Sequence, residues 1–170
     1  AAQKCAGHEN INFVLADAQS HRFAVQKLDT VISRFGVMFF ENPVKAFQNI
    51  KSALRVAGRL RFVCWAPLEE NEFFYAPLQA VLQHTDQPFI APGRAPGPLA
   101  FSDAAYLRSL LEEAGFQQVE IAKTPTEVTT KDSPEADAKL LMQIGFATRI
   151  MTAAEMGEAE RAEVFRSMLA

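Results

Sequence analysis

The sequence predicts an α/β fold built on a parallel sheet, and three observations predict it. The first is the element order, strand, strand, helix, strand, with crossovers of helical length. The second is that Leu28 to Ser33 (LDTVIS) and Arg59 to Trp65 (RLRFVCW) carry apolar runs of the kind that suits parallel strands covered on both faces. The third is the helix between them. Asn42 can cap free backbone N–H groups, and Pro43 fits the first helical position, where its missing N–H costs nothing. Val44, Phe47, Ile50 and Leu54 then recur at spacings of three and four, which makes one face apolar.

The remaining elements follow in order. Residues 2–8 read as a helix end. Asn10 to Ala16 reads as a strand, with Asp17-Ala18-Gln19-Ser20 as a polar loop after it. Gly58 closes the region of the capped helix. Asn71 to Gln83 reads as a helix that Pro77 should break or kink. Asp86 to Pro98, rich in proline and glycine, reads as a long loop, a length more typical of a lid or binding loop than of a connector. Ser102 is placed to cap a helix carrying Leu107, Leu110 and Leu111, and Gly115 to close it. Gln118 to Ala122 (QVEIA) reads as a further strand. Ser133-Pro134 starts a helix expected to run to about Met151, and Thr152 and Glu155 have the spacing of a capping box for another. The expected division is a core over 1–125 and a helical C-terminal segment of the same domain over 126–170.

Composition narrows the function. The chain has 170 residues, 49% hydrophobic and 22% charged, which suits one globular domain and excludes collagen, a disordered tail and a disulfide scaffold. A net charge of −3 offers no overall attraction for nucleic acid. Two cysteines, Cys5 and Cys64, make no disulfide framework, so a reducing cytoplasmic setting is expected. The longest strongly apolar stretch, Phe35 to Phe40, is far short of the roughly 20 residues that span a bilayer. His8, His21 and His84 have no metal-ligand spacing, so no metal is expected. No P-loop, GxSxG elbow or GxGxxG turn is present. In an open parallel sheet, ligands bind outside the carboxyl ends of the strands. That singles out Asp17-Ala18-Gln19, Ser33-Arg34-Phe35-Gly36 and Trp65-Ala66-Pro67.

These same stretches carry a resemblance. NFVLADAQ, then LDTVISRFGVMFFENPVKAFQNIKSALRVAGRLRFVCW, then LRSLLEEAGFQQVEI, resemble the class I S-adenosylmethionine-dependent methyltransferases. The similarity is greatest to the small-molecule branch that includes ubiquinone/menaquinone-type enzymes, and it spans about residues 3 to 122. It implies a Rossmann-like, doubly wound sheet of which strands 3 to 6 of the family pattern are represented, as NFVLAD, LDTVIS, RLRFVCW and QVEIA. It implies S-adenosyl-L-methionine as cofactor and a small organic molecule as methyl acceptor. By the resemblance, Asp17 accepts a hydrogen bond from the adenine amino group, and the Ala18 backbone N–H meets the adenine ring beside Gln19. Ser33, Arg34 and Phe35 would pass the methionine end of the cofactor. Met38, Phe39 and Trp65 would face the acceptor. Should a general base be needed, His84, Asp103 and Tyr75 are the candidates.

The sequence also departs from the family. The glycine-rich turn and the acidic residue that holds the ribose are expected upstream of Ala1, and a last antiparallel strand beyond Ala170. The expectation is therefore a chain truncated at both ends that folds weakly or by association, as a possible homo-oligomer. Val56-Ala57-Gly58 stands where the family usually has Pro-Gly-Gly. Plainer readings sit beside these. Asp17 is also an ordinary turn residue. Phe35, Met38, Phe39 and Phe40 also read as core or pocket wall. Cys64 also reads as an inert small apolar residue. A rival to the enzyme is a non-catalytic, methyltransferase-like interaction domain. A dehydrogenase is less well supported, since its own glycine fingerprint is absent too.

Overall fold

A computed structural model describes residues 7–127 and 133–169. The residues that start its central helix are the ones the sequence marks. Asn42 accepts a hydrogen bond at Oδ1 from the Lys45 backbone N–H (2.9 Å), and Pro43 opens α1, Pro43–Ala53. This helix joins strand β1, Leu28–Arg34, to strand β2, Leu54–Val63, and the two strands pair in parallel. Two parallel neighbours cannot be linked by a tight turn, so a helical crossover is the connection the geometry requires.

The helix hands over to β2 earlier than expected. Residues 55–58 form a bulge, because Leu28 pairs with Leu54 while Thr30 already pairs with Arg59. Ala57 takes a left-handed conformation in it (φ 61°), and Arg55 pairs with Asp29 at 2.6 Å. Gly58 is required by crowding: a Cβ there would lie 2.9 Å from the Arg55 carbonyl oxygen and 3.1 Å from that of Leu28.

Two expected strands do not form. Asn10–Ala16 pairs with no strand, with Asn10 in a turn and Phe13, Val14 and Leu15 exposed, and Gln118–Ala122 is likewise outside any sheet. Both have strand composition, but a strand is stable only with a hydrogen-bonding neighbour, and neither has one among the described residues. Near Gln118, the Arg108 guanidinium donates to the Val119 carbonyl in place of a ladder. The described sheet therefore has two strands instead of four. The expected helix end over 2–8 lies mostly outside the described residues, and Gly7 and His8 are not helical.

After β2 a short 3-10 turn, Leu68–Glu70, leads into α2, Glu72–Leu82. Pro77 does not break α2. It is buried on the same face as Phe74, Leu78 and Val81, and that packing holds the helix through the missing hydrogen bond. Residues 86–98 form the predicted loop. Helix α3, Ala104–Glu113, is capped by Asp103 and not by Ser102: the Asp103 carboxylate accepts from the Ala105 and Tyr106 N–H groups, while the Ser102 hydroxyl donates to the Leu99 carbonyl. Gly115 closes α3 as expected. Its φ is 88°, and the Gly115 and Phe116 N–H groups return to the carbonyls of Glu112 and Leu111.

The long C-terminal helix is two helices, α4, Pro134–Leu141, and α5, Gly145–Ala153. Gly145 sits at φ 81°, and a Cβ there would lie 3.4 Å from the Phe74 ring. The Thr148 hydroxyl lies 3.1 Å from both the Met142 and Ile144 carbonyl oxygens at the break. Thr152 does not cap the last helix. Its hydroxyl donates to the Thr148 carbonyl inside α5, and α6, Glu158–Leu169, begins three residues beyond Glu155, with the Glu160 carboxylate accepting from the Gly157 N–H (2.7 Å).

Two apolar cores result. One joins α1 and α3 to a single face of the sheet, around Phe47, Phe101 and Leu110. The other joins α2, α5 and α6, around Leu78, Met151 and Val164. Trp65 packs against both. Phe47 is fully buried, with the rings of Phe40, Phe62 and Phe101 centred about 6 Å away. Phe47→Ala should cost about 3–5 kcal/mol of stability, read as a lower urea midpoint, because the cavity opens where strand and helices meet.

Candidate functional site

The parallel pair brings both strand ends and the start of α1 to one edge. Ser33 pairs with Phe62 and Arg34 with Val63, so the segments 33–36 and 63–67 leave the sheet side by side. The turn after β1 is tight. The Ser33 hydroxyl accepts from the Gly36 N–H (3.3 Å), and the Phe35 N–H donates to the Val63 carbonyl (3.1 Å). Phe35 is held in the left-handed region at φ 57°, which costs a residue with a Cβ of order 1–3 kcal/mol. Its ring is stacked on Trp65, centroids 4.5 Å apart and planes 15° from parallel. Trp65 also stacks with Phe73 (5.7 Å, 2°) and meets Phe74 edge-on (4.9 Å). This aromatic series offsets the strain at Phe35 and fixes the edge.

The second group, residues 17–19, reaches the same edge by a different route. Asp17 closes its own turn: Oδ1 accepts from the Gln19 N–H (2.9 Å) and Oδ2 from the Ser20 hydroxyl (3.3 Å). Gln19 Oε1 accepts from the Asn42 N–H (2.8 Å) at the start of α1. Asn49 donates through Nδ2 to the carbonyls of Ala18 and His21, both at 2.8 Å. These bonds tie the turn to α1 at its N-terminus, through Asn42, and past its middle, through Asn49. Asn49 is the positioning residue that sequence reasoning missed. No local signal marks it, because its partners Ala18 and His21 lie far upstream in the sequence.

Asp17 is exposed, and two bonds leave its carboxylate further acceptor sites. The Ala18 N–H has no partner within the described residues. One acceptor and one free donor on adjacent residues match the donor and acceptor edge of an adenine, so this pair fits the adenine end of the implied cofactor.

The acceptor-side residues divide. Phe39 is 56% exposed. Trp65 is half-buried between its ring neighbours. Met38 is buried in the α1–α3 core and offers no surface to a substrate, which corrects its expected place on the pocket wall. The Met38 carbonyl instead accepts from the Gly97 N–H (3.0 Å) and ties the end of loop 86–98 to this edge. Arg94 of that loop lies over the Tyr106 ring, 3.9 Å from its centroid. The candidate bases sit elsewhere. Asp103 is engaged as a helix cap, Tyr75 is on α2, and His84 Nε2 is 2.8 Å from the Ser167 hydroxyl of α6.

A large open cleft, about 2350 Å³, runs along the free edge of β2 toward the segment 116–127. Of the nine site residues predicted from sequence, Phe35 and Trp65 line it and the other seven do not. Among the described residues no cluster of His, Cys, Asp and Glu could hold a metal ion, and no helix is long and apolar enough to cross a membrane.

Comparison with known proteins adds one finding. Residues 1–62 match the family model of a methyltransferase domain. The match takes in both predicted cofactor segments, α1 and all of β2 except Val63. It supports methyl transfer of the S-adenosylmethionine-dependent, class I kind in general, and the mixed α/β structure with its parallel strand pair fits a Rossmann-like fold. No curated protein and no solved structure matches the chain.

Two predictions follow from this geometry. Asn49→Ala removes two hydrogen bonds to the 17–21 turn, so it should lower stability by about 1–3 kcal/mol and speed proteolysis within that turn. Cys64 is half-buried, with its thiol 3.8 Å from the Phe101 carbonyl oxygen, and burial pushes its pKa up. The fold thus favours the neutral thiol. That contribution is complete below the ordinary thiol pKa and fades as pH rises past it. Alkylation of Cys64, followed by mass spectrometry, should need higher pH than alkylation of a free cysteine.

Proposed function

We propose that this chain carries part of the cofactor site of a class I methyltransferase of the small-molecule, ubiquinone/menaquinone-type branch, and that the complete protein moves a methyl group to a small organic acceptor. The observation that carries the reading is a coincidence of two kinds of evidence. The region that matches a methyltransferase domain contains both segments that α1 and the strand ends gather at one edge.

S-adenosylmethionine would supply a methyl group on a sulfonium, activated for direct displacement. The chain's own work is then positioning. The Asp17 carboxylate accepts from the adenine amino group, and the Ala18 N–H donates to the ring beside it. Gln19 and Asn49 hold that turn against α1. Ser33, Arg34 and Phe35 line the path of the methionine end, and Arg34 is exposed there. Phe39 and Trp65 give the acceptor an apolar wall that excludes water. No general base is needed where the acceptor atom is itself nucleophilic.

One observation favours a second reading, a non-catalytic interaction domain. Five of the six cofactor-side residues lie outside the cleft. Calorimetric titration with S-adenosylhomocysteine separates the two. The first reading expects micromolar binding, weakened about 10- to 100-fold by Asp17→Ala, the effect of losing a hydrogen bond to a charged group. Absent binding, or binding indifferent to Asp17→Ala, would support the second.

A further inference from the structure

The loop 86–98 has both feet in one apolar core and its tip against the other. Phe89 packs into the α2–α5–α6 core and meets the Phe146 ring edge-on (5.5 Å), and Leu99, just past the loop, is buried in the same core. Between these feet the chain reaches across to the α1–α3 side. The buried Gly97 donates its N–H to the Met38 carbonyl (3.0 Å), one residue before Phe39. Arg94 reaches the start of α3, with Nη2 3.8 Å from Asp103 Oδ2 and its guanidinium over the Tyr106 ring. Among the described residues, Arg94 makes the polar contacts of residues 90–96 with the rest of the chain; the remaining bond there, Ala95 N–H to the Pro92 carbonyl (3.3 Å), is internal to the loop. The foot at Phe89 is also linked to the strand ends. Ring contacts lead from Phe89 through Phe146, Phe74 and Trp65 to Phe35.

We propose that residues 86–98 are a strap that opens and closes over the junction of the two cores, beside the acceptor-side residues Phe39 and Trp65, with Arg94 as its latch. The inference rests on the proposed function only in what passes beneath the strap, the methyl acceptor. All the groups that define the strap lie between residues 35 and 146. A connector between two points of one core needs fewer residues than this, and long loops in compact domains are usually functional. The two kinds of attachment differ in strength. The feet are held by buried side chains, so releasing them disrupts a core. The tip is held by one backbone hydrogen bond, an exposed ion pair and an exposed cation–π contact, each of which is weak. Opening at the tip is therefore a local event that leaves both cores intact. Pro88, Pro92, Pro96 and Pro98 fix φ at four positions, so the strap moves as a stiff body.

The test uses the full chain without ligand and two readouts. Amide hydrogen exchange, followed by NMR, reports the Gly97 N–H, which is protected only while the tip is down. Acrylamide quenching reports Trp65, the single tryptophan of the chain. In the unaltered chain Gly97 should exchange faster than the Ile50 amide inside α1, which marks a local opening. Arg94→Ala should speed Gly97 exchange by about 5- to 30-fold, leave Ile50 exchange unchanged and increase quenching of Trp65. Asp103→Asn keeps the α3 cap and removes the charge. It should speed Gly97 exchange by up to about fivefold, and it serves where Arg94→Ala disturbs folding. The proposal is overturned by Gly97 exchange no faster than that of Ile50, by exchange that ignores both substitutions, or by faster exchange with Trp65 quenching unchanged. Neither readout involves S-adenosylhomocysteine, so failure of the strap and failure of the cofactor reading are separate results.

Discussion

The parallel direction of β1 and β2 is the constraint from which the rest of the arrangement follows. Antiparallel neighbours can turn back in two residues, but parallel ones must send the chain the length of the sheet and back. Here α1 is that return, and its N-terminus must therefore lie at the carboxyl ends of the strands. This places Asn42 where it can hold Gln19, and Ser33 and Arg34 alongside Phe62 and Val63. The candidate site is thus a consequence of strand direction before it is a consequence of any particular side chain.

Trp65 then decides how firmly that edge is held. Among the described residues it packs against both apolar cores, and its ring stacks with those of Phe35 and Phe73. Phe35 in a left-handed conformation is costly by itself. Stacked aromatic pairs contribute about 0.5–1.5 kcal/mol each beyond the area they bury, which is the scale of the strain they oppose. The turn after β1 is therefore coupled to α2 and, through Phe74 and Phe146, to α5. Burial of the α2 helix and shape of the candidate site are linked through one ring.

Local signals were legible where a single residue type meets a single backbone need. Asn42-Pro43 marks the start of α1, Gly115 the end of α3, and Ser133-Pro134 the start of α4. Each is a cap or a left-handed residue whose chemistry acts within a few positions. The failures are all of a different kind. Pro77 remains helical because buried neighbours hold it, which local propensity does not register. Thr152 and Glu155 have capping-box spacing, but the hydroxyl finds a carbonyl one turn back. Met38 reads from the sequence as either core or pocket wall, and the 3-10 turn Val37–Phe39 directs it into the core. Of the candidate site, Ser33 to Phe35 were legible as the end of a strand, whereas Asp17 to Gln19 follow a segment that pairs in no sheet and were singled out by the family pattern. The aromatic series and the Asn49 clamp were not, since both depend on residues distant in sequence.

The two missing strands follow from the same distinction. Ile11 to Leu15 and Gln118 to Ile121 have the composition of strands, but composition supplies only side chains suited to a sheet. The ladder itself needs a neighbour at about 4.8 Å, and the free edges of β1 and β2 do not receive these segments. Asp17 takes its place without one. Its turn is held by the Asn42 backbone N–H and the Asn49 side chain of α1 and not by a strand pairing, so the turn stays against α1 even though the segment before it stays outside the sheet. A turn can thus keep its position when the strand expected before it is absent, provided that a neighbouring helix satisfies the polar groups around it. In this chain that provision rests on α1: the Asn42 backbone N–H holds the Gln19 side chain, and the Asn49 side chain, two turns on, holds the Ala18 and His21 carbonyls.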